Sequence, residues 1–124
     1  MRLIIRAAVA AAAFMALSGA AQAADPYGTW TRNSTGAKIA FYDCGGKLCA
    51  KIESVKNQAM AANVGKVIMA GAAKASDNSW KGDLLNLEDG KTYSGTVTLE
   101  GPKALNLKGC ALGGLICKDE TLTK

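Results

Sequence analysis

The chain has 124 residues, with 15 Lys and Arg against 10 Asp and Glu, a formal charge of +5 and no histidine. Without histidine, Ser-His-Asp and Cys-His catalysis are unavailable in their usual forms, and so is the commonest transition-metal ligand. Beyond Arg6 the only arginine is Arg32, and the lysines are scattered; phosphate and base recognition lean on arginine, so nucleic acid is not an expected partner.

In chain order, the first segment reads as an address and not as fold. Arg2 and Arg6 form a basic start, Ala7 to Leu17 an apolar core, and Ala21-Gln22-Ala23 a small-x-small cleavage signal. This predicts a secretory signal peptide over 1–23, cut after Ala23. The apolar run is short of the ~20 residues a spanning helix needs, so no transmembrane anchor is expected after cleavage. Residues 24–124 then form a single exported domain, with the formal charge reduced from +5 to +3 by loss of Arg2 and Arg6.

The remainder is punctuated by glycine and alternates apolar with polar positions, the period of a half-buried strand. Strands are predicted at Tyr27 to Thr31, through Ala37, Ile39 and Phe41, and through Leu48, Ala50 and Ile52. Ser54 to Lys66 is alanine-rich and weakly patterned, and reads as a long loop or one helical turn. Further strands cover Val67 to Ala70 and Trp80 to Leu85, followed by the turn Leu87-Glu88-Asp89-Gly90-Lys91, where Asp-Gly suits a tight hairpin. Thr92 to Leu99 is the clearest strand: Tyr93, Gly95, Val97 and Leu99 share one face, and Thr92, Ser94, Thr96 and Thr98 the other. Glu100-Gly101-Pro102-Lys103 is a turn to the strand at Ala104 to Lys108, and Leu115 to Leu122 is the last. The fold class is thus all-β, with about eight short strands. Short sequential connections favour a small antiparallel up-and-down β-barrel, which removes its edges by closure.

Four cysteines sit in two similar settings. Cys44 and Cys49 flank Gly-Gly-Lys-Leu, and Cys110 and Cys117 enclose Ala-Leu-Gly-Gly-Leu-Ile. Facing positions of an antiparallel pair lie within disulfide reach, which favours pairing Cys44 with Cys49 and Cys110 with Cys117; two other connectivities remain open to the sequence. Cys-x-x-Cys spacing is missing, and an oxidising compartment disfavours four free thiolates, so neither a redox site nor a metal site is expected.

Several of these segments resemble, in order, the bacterial family of exported proteins catalogued as domain of unknown function 2147. The matching stretches are Gly28-Thr29-Trp30, Cys44 to Ile52, Trp80-Lys81-Gly82, Glu88 to Gly95 and Leu105 to Cys110. The resemblance implies a lipocalin-like barrel in the periplasm, with no established activity and no catalytic residues to carry over. The family commonly ends in Trp-Thr-Arg, whereas this chain ends Thr121-Leu122-Thr123-Lys124. In lipocalin-like barrels a C-terminal arginine often stacks on the tryptophan of Gly-x-Trp; here that place falls to Lys124, whose ammonium lacks arginine's planar face.

An eight-stranded barrel has room for packed side chains or one small ligand. The functional expectation is therefore a periplasmic barrel binding a small apolar or amphipathic ligand, with Trp80, Tyr93 and Phe41 as ligand-binding candidates, since aromatic side chains offer large apolar contact and Trp and Tyr add a hydrogen-bonding tip. The alternative is a filled barrel that docks an envelope protein through its surface. No catalytic residue, metal or cofactor is expected: Glu88-Asp89 is explained by its turn, and no nucleophile motif accompanies it.

Overall fold

The computed structural model describes residues 25–124; the sequence-derived leader at 1–23 lies outside them. Eight antiparallel strands follow one another in chain order around a closed barrel, each bonded to the next and the last returning to the first. They are β1 (Gly28–Arg32), β2 (Lys38–Asp43), β3 (Leu48–Ser54), β4 (Val67–Ser76), β5 (Ser79–Leu85), β6 (Thr92–Gly101), β7 (Ala104–Ala111) and β8 (Ile116–Thr123). The alternation seen in the sequence sets the inside: Ile39 and Phe41 are buried on β2, and Gly95, Val97 and Leu99 on β6, while the intervening threonines face out.

Two segments extend what the sequence indicates. β4 runs well past Ala70 to Ser76, because Ala72 packs into the core and pairs with Leu48, although alanine and glycine are poor strand formers. Within Ser54 to Lys66 a 3₁₀ helix, Gln58–Asn63, forms behind Asn57, whose side chain accepts a hydrogen bond from the Ala59 N–H.

A meander of this kind has two distinct ends. At one lie residues 25–27, the β2–β3, β4–β5 and β6–β7 turns and Lys124; at the other lie the β1–β2, β3–β4, β5–β6 and β7–β8 connections. The first end is packed. Trp30, Phe41, Leu48, Met69, Val97, Leu105 and Leu122 are fully buried there. Gly45 and Gly46, with φ of 74° and 87°, turn β2 into β3, as the primed hairpin turns require. Cys44 and Cys49 are bonded beside that turn, with Cα atoms 5.9 Å apart.

The base is closed by Lys124. The Lys124 ammonium sits 5.0 Å from the centre of the buried Trp30 ring and donates to the Tyr27 carbonyl at 2.8 Å. The Trp30 indole N–H donates to the Pro26 carbonyl at 2.8 Å. Gly28 admits the lysine stem, because a Cβ there would stand 3.1 Å from its Cε.

The seam between β1 and β8 is short, with two register pairs, Thr31 with Thr123 and Arg32 with Leu122. Side chains extend it. Arg32 Nε donates to both Glu120 carboxylate oxygens at 2.6 and 2.9 Å, Ser34 Oγ donates to Glu120 at 3.2 Å, and Thr123 Oγ1 donates to Asn33 Oδ1 at 2.9 Å.

Candidate functional site

The other end of the barrel is open and holds a cavity of about 890 Å³, within the roughly 300–1,000 Å³ common for small-molecule sites. Its apolar interior is built from inward positions of five strands: Ile39, Ile52, Ile68, Leu84 and Leu107. Ile39, Ile52, Leu84 and Leu107 follow the period of two, which also turns Trp80, Phe41 and Val97 inward but lower in the barrel, whereas Ile68 is the extra residue at a register shift between β3 and β4, buried beside Met69.

A row of glycines shapes the wall. Gly82, Gly95 and Gly109 are partnered across β5, β6 and β7. A Cβ on Gly95 would lie 2.7 Å from Leu84 Cβ, and one on Gly82 would lie 2.8 Å from Ala72 Cα. Those two glycines therefore permit the walls to approach, the usual meaning of glycine inside a strand. Gly109 lines the cavity instead, and a Cβ there would meet Leu84 Cδ2 and Tyr93 Cβ at ordinary contact distances of 3.5 and 3.7 Å.

The rim is polar and charged. Asn57, Asn63 and Met60 come from the β3–β4 connection, Asn86 to Asp89 from the β5–β6 turn, and Lys118 and Glu120 from inward positions of β8. Arg32 joins two of these walls, bonding Glu120 and approaching Glu88 at 3.5 Å. The Glu120 hydrogen bond, aided by both carboxylate charges and opposed by burial, holds the guanidinium pKa above its ordinary value. Within the β5–β6 hairpin, the Tyr93 hydroxyl donates to Asp89. That bond pushes the tyrosine pKa up and the Asp89 pKa down, with the Lys91 backbone N–H adding to the second effect.

Of the aromatic candidates, Tyr93 lines the cavity. Phe41 and Trp80 do not; both are buried in the core cluster of the closed half, with the Lys74 ammonium 5.8 Å from the Trp80 ring. Alternation assigns a side chain to the inside of a barrel but is silent on which end is hollow. Phe41 precedes the β2–β3 turn and Trp80 follows the β4–β5 turn, so both belong to the packed end. Arg32, Lys118 and Glu120 were not singled out as cavity residues, yet the sequence carried a signal for two of them. On β8 the inward register that contains Ile116 and Leu122 also contains Lys118 and Glu120, and charges at inward positions imply a wet interior. Cys110 and Cys117 are directly opposed and bonded at this open end, with Cα atoms 4.1 Å apart.

Comparison with known proteins agrees with this architecture. The model of a family described as "Uncharacterized protein conserved in bacteria (DUF2147)" matches residues 28–124. No curated protein matches the chain. Among solved structures, the chain is similar to protein HP1028 from the human pathogen Helicobacter pylori, described as belonging to the lipocalin family. The TM-score is 0.68 at 20% identity, over 82% of this chain and 84% of that one. At that identity the likeness speaks for the fold alone.

Proposed function

We propose, from the premise that the chain belongs to the DUF2147 family of bacterial proteins, that its barrel holds one small apolar or amphipathic molecule in the open end. The observation that carries this is the cavity itself: an apolar interior of Ile39, Ile52, Ile68, Leu84 and Leu107 beneath a hydrogen-bonding rim. Such a cavity receives a hydrocarbon portion below and leaves a polar group at Asn57, Asn86, Lys118 or Arg32, the division expected of a ligand site with few fixed polar groups. The ligand rests on Tyr93, and not on Phe41 or Trp80. An open cavity of this size weighs against the second reading, a filled barrel acting through its surface alone.

The same proposal places the working protein in the periplasm, exported by a leader removed after Ala23. Two disulfides in a small domain suit an oxidising compartment. Among the described residues no helix is long and apolar enough to cross a membrane. The barrel is read as non-catalytic, since Glu88 and Glu120 are turned to Arg32 and Asp89 to Tyr93. A hydrolase screen giving a signal that Glu88→Gln abolishes would reverse that reading.

Filling the cavity tests the binding claim. Gly109→Leu has space for its Cβ and sends the remaining atoms into the cavity. Titration with an environment-sensitive apolar dye is expected to saturate at one site in the wild type and to weaken by about tenfold or more in the variant, with the strand circular dichroism unchanged. Equal dye binding by both proteins contradicts it.

A further inference from the structure

The β7–β8 connection breaks the rule that governs the rest of the surface. Leu112, Leu115 and Ile116 are 69, 84 and 55% exposed, the three most exposed large apolar side chains among the described residues. They stand on one short loop, closed at its root by the Cys110–Cys117 disulfide and turned by Gly113 and Gly114 at positive φ. Leu112 has a φ of 53° and is the one described residue other than glycine in that region. Asparagine or glycine takes this conformation with less strain and would be better hydrated. Strain combined with exposed aliphatic surface marks a contact made in the working state.

Position and charge indicate what makes that contact. Ile116 lines the cavity as well as facing solvent, so the apolar tip continues into the cavity. The charges around the mouth nearly cancel: Arg32, Lys56, Lys66, Lys91 and Lys118 stand against Glu88, Asp89, Asp119 and Glu120. Three aliphatic side chains fall well short of the roughly 800 Å² per partner that a stable protein interface covers. They do suit shallow insertion, ~5–10 Å deep, at the boundary between lipid headgroups and acyl chains. We infer that the open end of the barrel rests on a lipid bilayer surface, with Leu112, Leu115 and Ile116 inserted at the headgroup boundary. The charged cavity mouth then lies at the level of the headgroups. The contact stands whether or not the cavity is loaded, so it can fail or hold independently of ligand binding.

The test is cosedimentation of the oxidised protein, from Asp25 onward, with phosphatidylcholine vesicles. This segment carries all eight strands and both disulfides. The wild type is expected to partition onto neutral vesicles, with little change on adding phosphatidylglycerol or salt. Leu112→Asn with Leu115→Ser is expected to weaken partitioning by about tenfold or more. Its Tm should equal or exceed that of the wild type, because the asparagine relieves the backbone. Leu115→Ser alone, at a side chain 84% exposed, serves as a second variant with little expected effect on folding. A wild type that stays in the supernatant overturns the inference, as does a double variant that sediments equally well. Binding that needs anionic lipid, vanishes with salt and ignores both leucines overturns it in favour of simple lysine adhesion. Loop-dependent capture of a defined envelope protein without vesicle binding overturns it in favour of protein docking.

Discussion

The Lys124 ammonium both covers Trp30 and reaches the Tyr27 carbonyl. A cation over an aromatic face contributes about 0.5–1 kcal/mol when solvent-exposed, and the hydrogen bond adds a similar amount. Lys124→Ala is therefore expected to cost about 1–2 kcal/mol, seen as a lower midpoint in urea, whereas Lys124→Arg should be neutral or stabilising because its planar group stacks better. A neutral Lys124→Ala would remove the residue from the base closure. At the rim, Tyr93 and Asp89 shift each other's pKa in opposite directions. The carboxyl, held below its ordinary value of 3.8, contributes stability above that pH and loses it as pH falls through the lower folded value. The phenol, held above 10.0, contributes below pH 10 and loses it above, where the unfolded chain ionises first. Tyr93→Phe should let Asp89 titrate nearer its ordinary value, measured by carboxyl NMR; an unchanged Asp89 contradicts the hydrogen bond as cause. The site was only half legible at this scale. Tyr93 could be placed inside by its neighbours Gly95 and Val97, but Phe41 and Trp80 show the same pattern and lie at the packed end.

Among elements, the β1–β8 seam is where the barrel is thinnest. With two register pairs of its own, it relies on the Arg32–Glu120 pair, both of whose side chains are partly buried. Glu120→Ala leaves the guanidinium with Glu88 at 3.5 Å and is expected to cost about 1–2 kcal/mol, the range for a lost hydrogen bond to a charged group, lowered because solvent reaches it. Amide exchange in β1 and β8 should accelerate before that in β6 and β7; uniform acceleration across all strands would contradict a local seam. The glycine row makes the opposite prediction. Gly95→Ala forces its Cβ against Leu84 at 2.7 Å and should destabilise by about 1–3 kcal/mol through overpacking, a loss visible as a lower Tm. Eight strands and both hairpin disulfides could be read before the structure because alternation, glycine turns and cysteine spacing are local signals. The length of β4 could not: Ala-Gly-Ala-Ala-Lys-Ala-Ser has no strand propensity of its own and is extended because Leu48 and Lys81 pair with it. The closing seam is likewise a long-range fact, joining residues 32 and 120.

For the molecule as a whole, one end is built for stability and the other for access. The packed end holds the core and one disulfide, while the open end holds the cavity, the charged rim and the second disulfide, with Leu112, Leu115 and Ile116 displayed beyond it. Each small disulfide loop contributes roughly 2 kcal/mol in the chain-entropy description, a large share of the roughly 5–15 kcal/mol that holds a domain together. The division between ends is what periodicity alone could not convey, and the proposed carrier role rests on it. Native mass spectrometry addresses the carrier reading most directly, applied to the protein isolated without denaturation from its own cells and then to the same sample unfolded. The expected result is one additional apolar or amphipathic mass per chain, released on unfolding and missing from Gly109→Leu. The mass of the two-disulfide chain alone in every preparation, with wild type and variant alike, would contradict it.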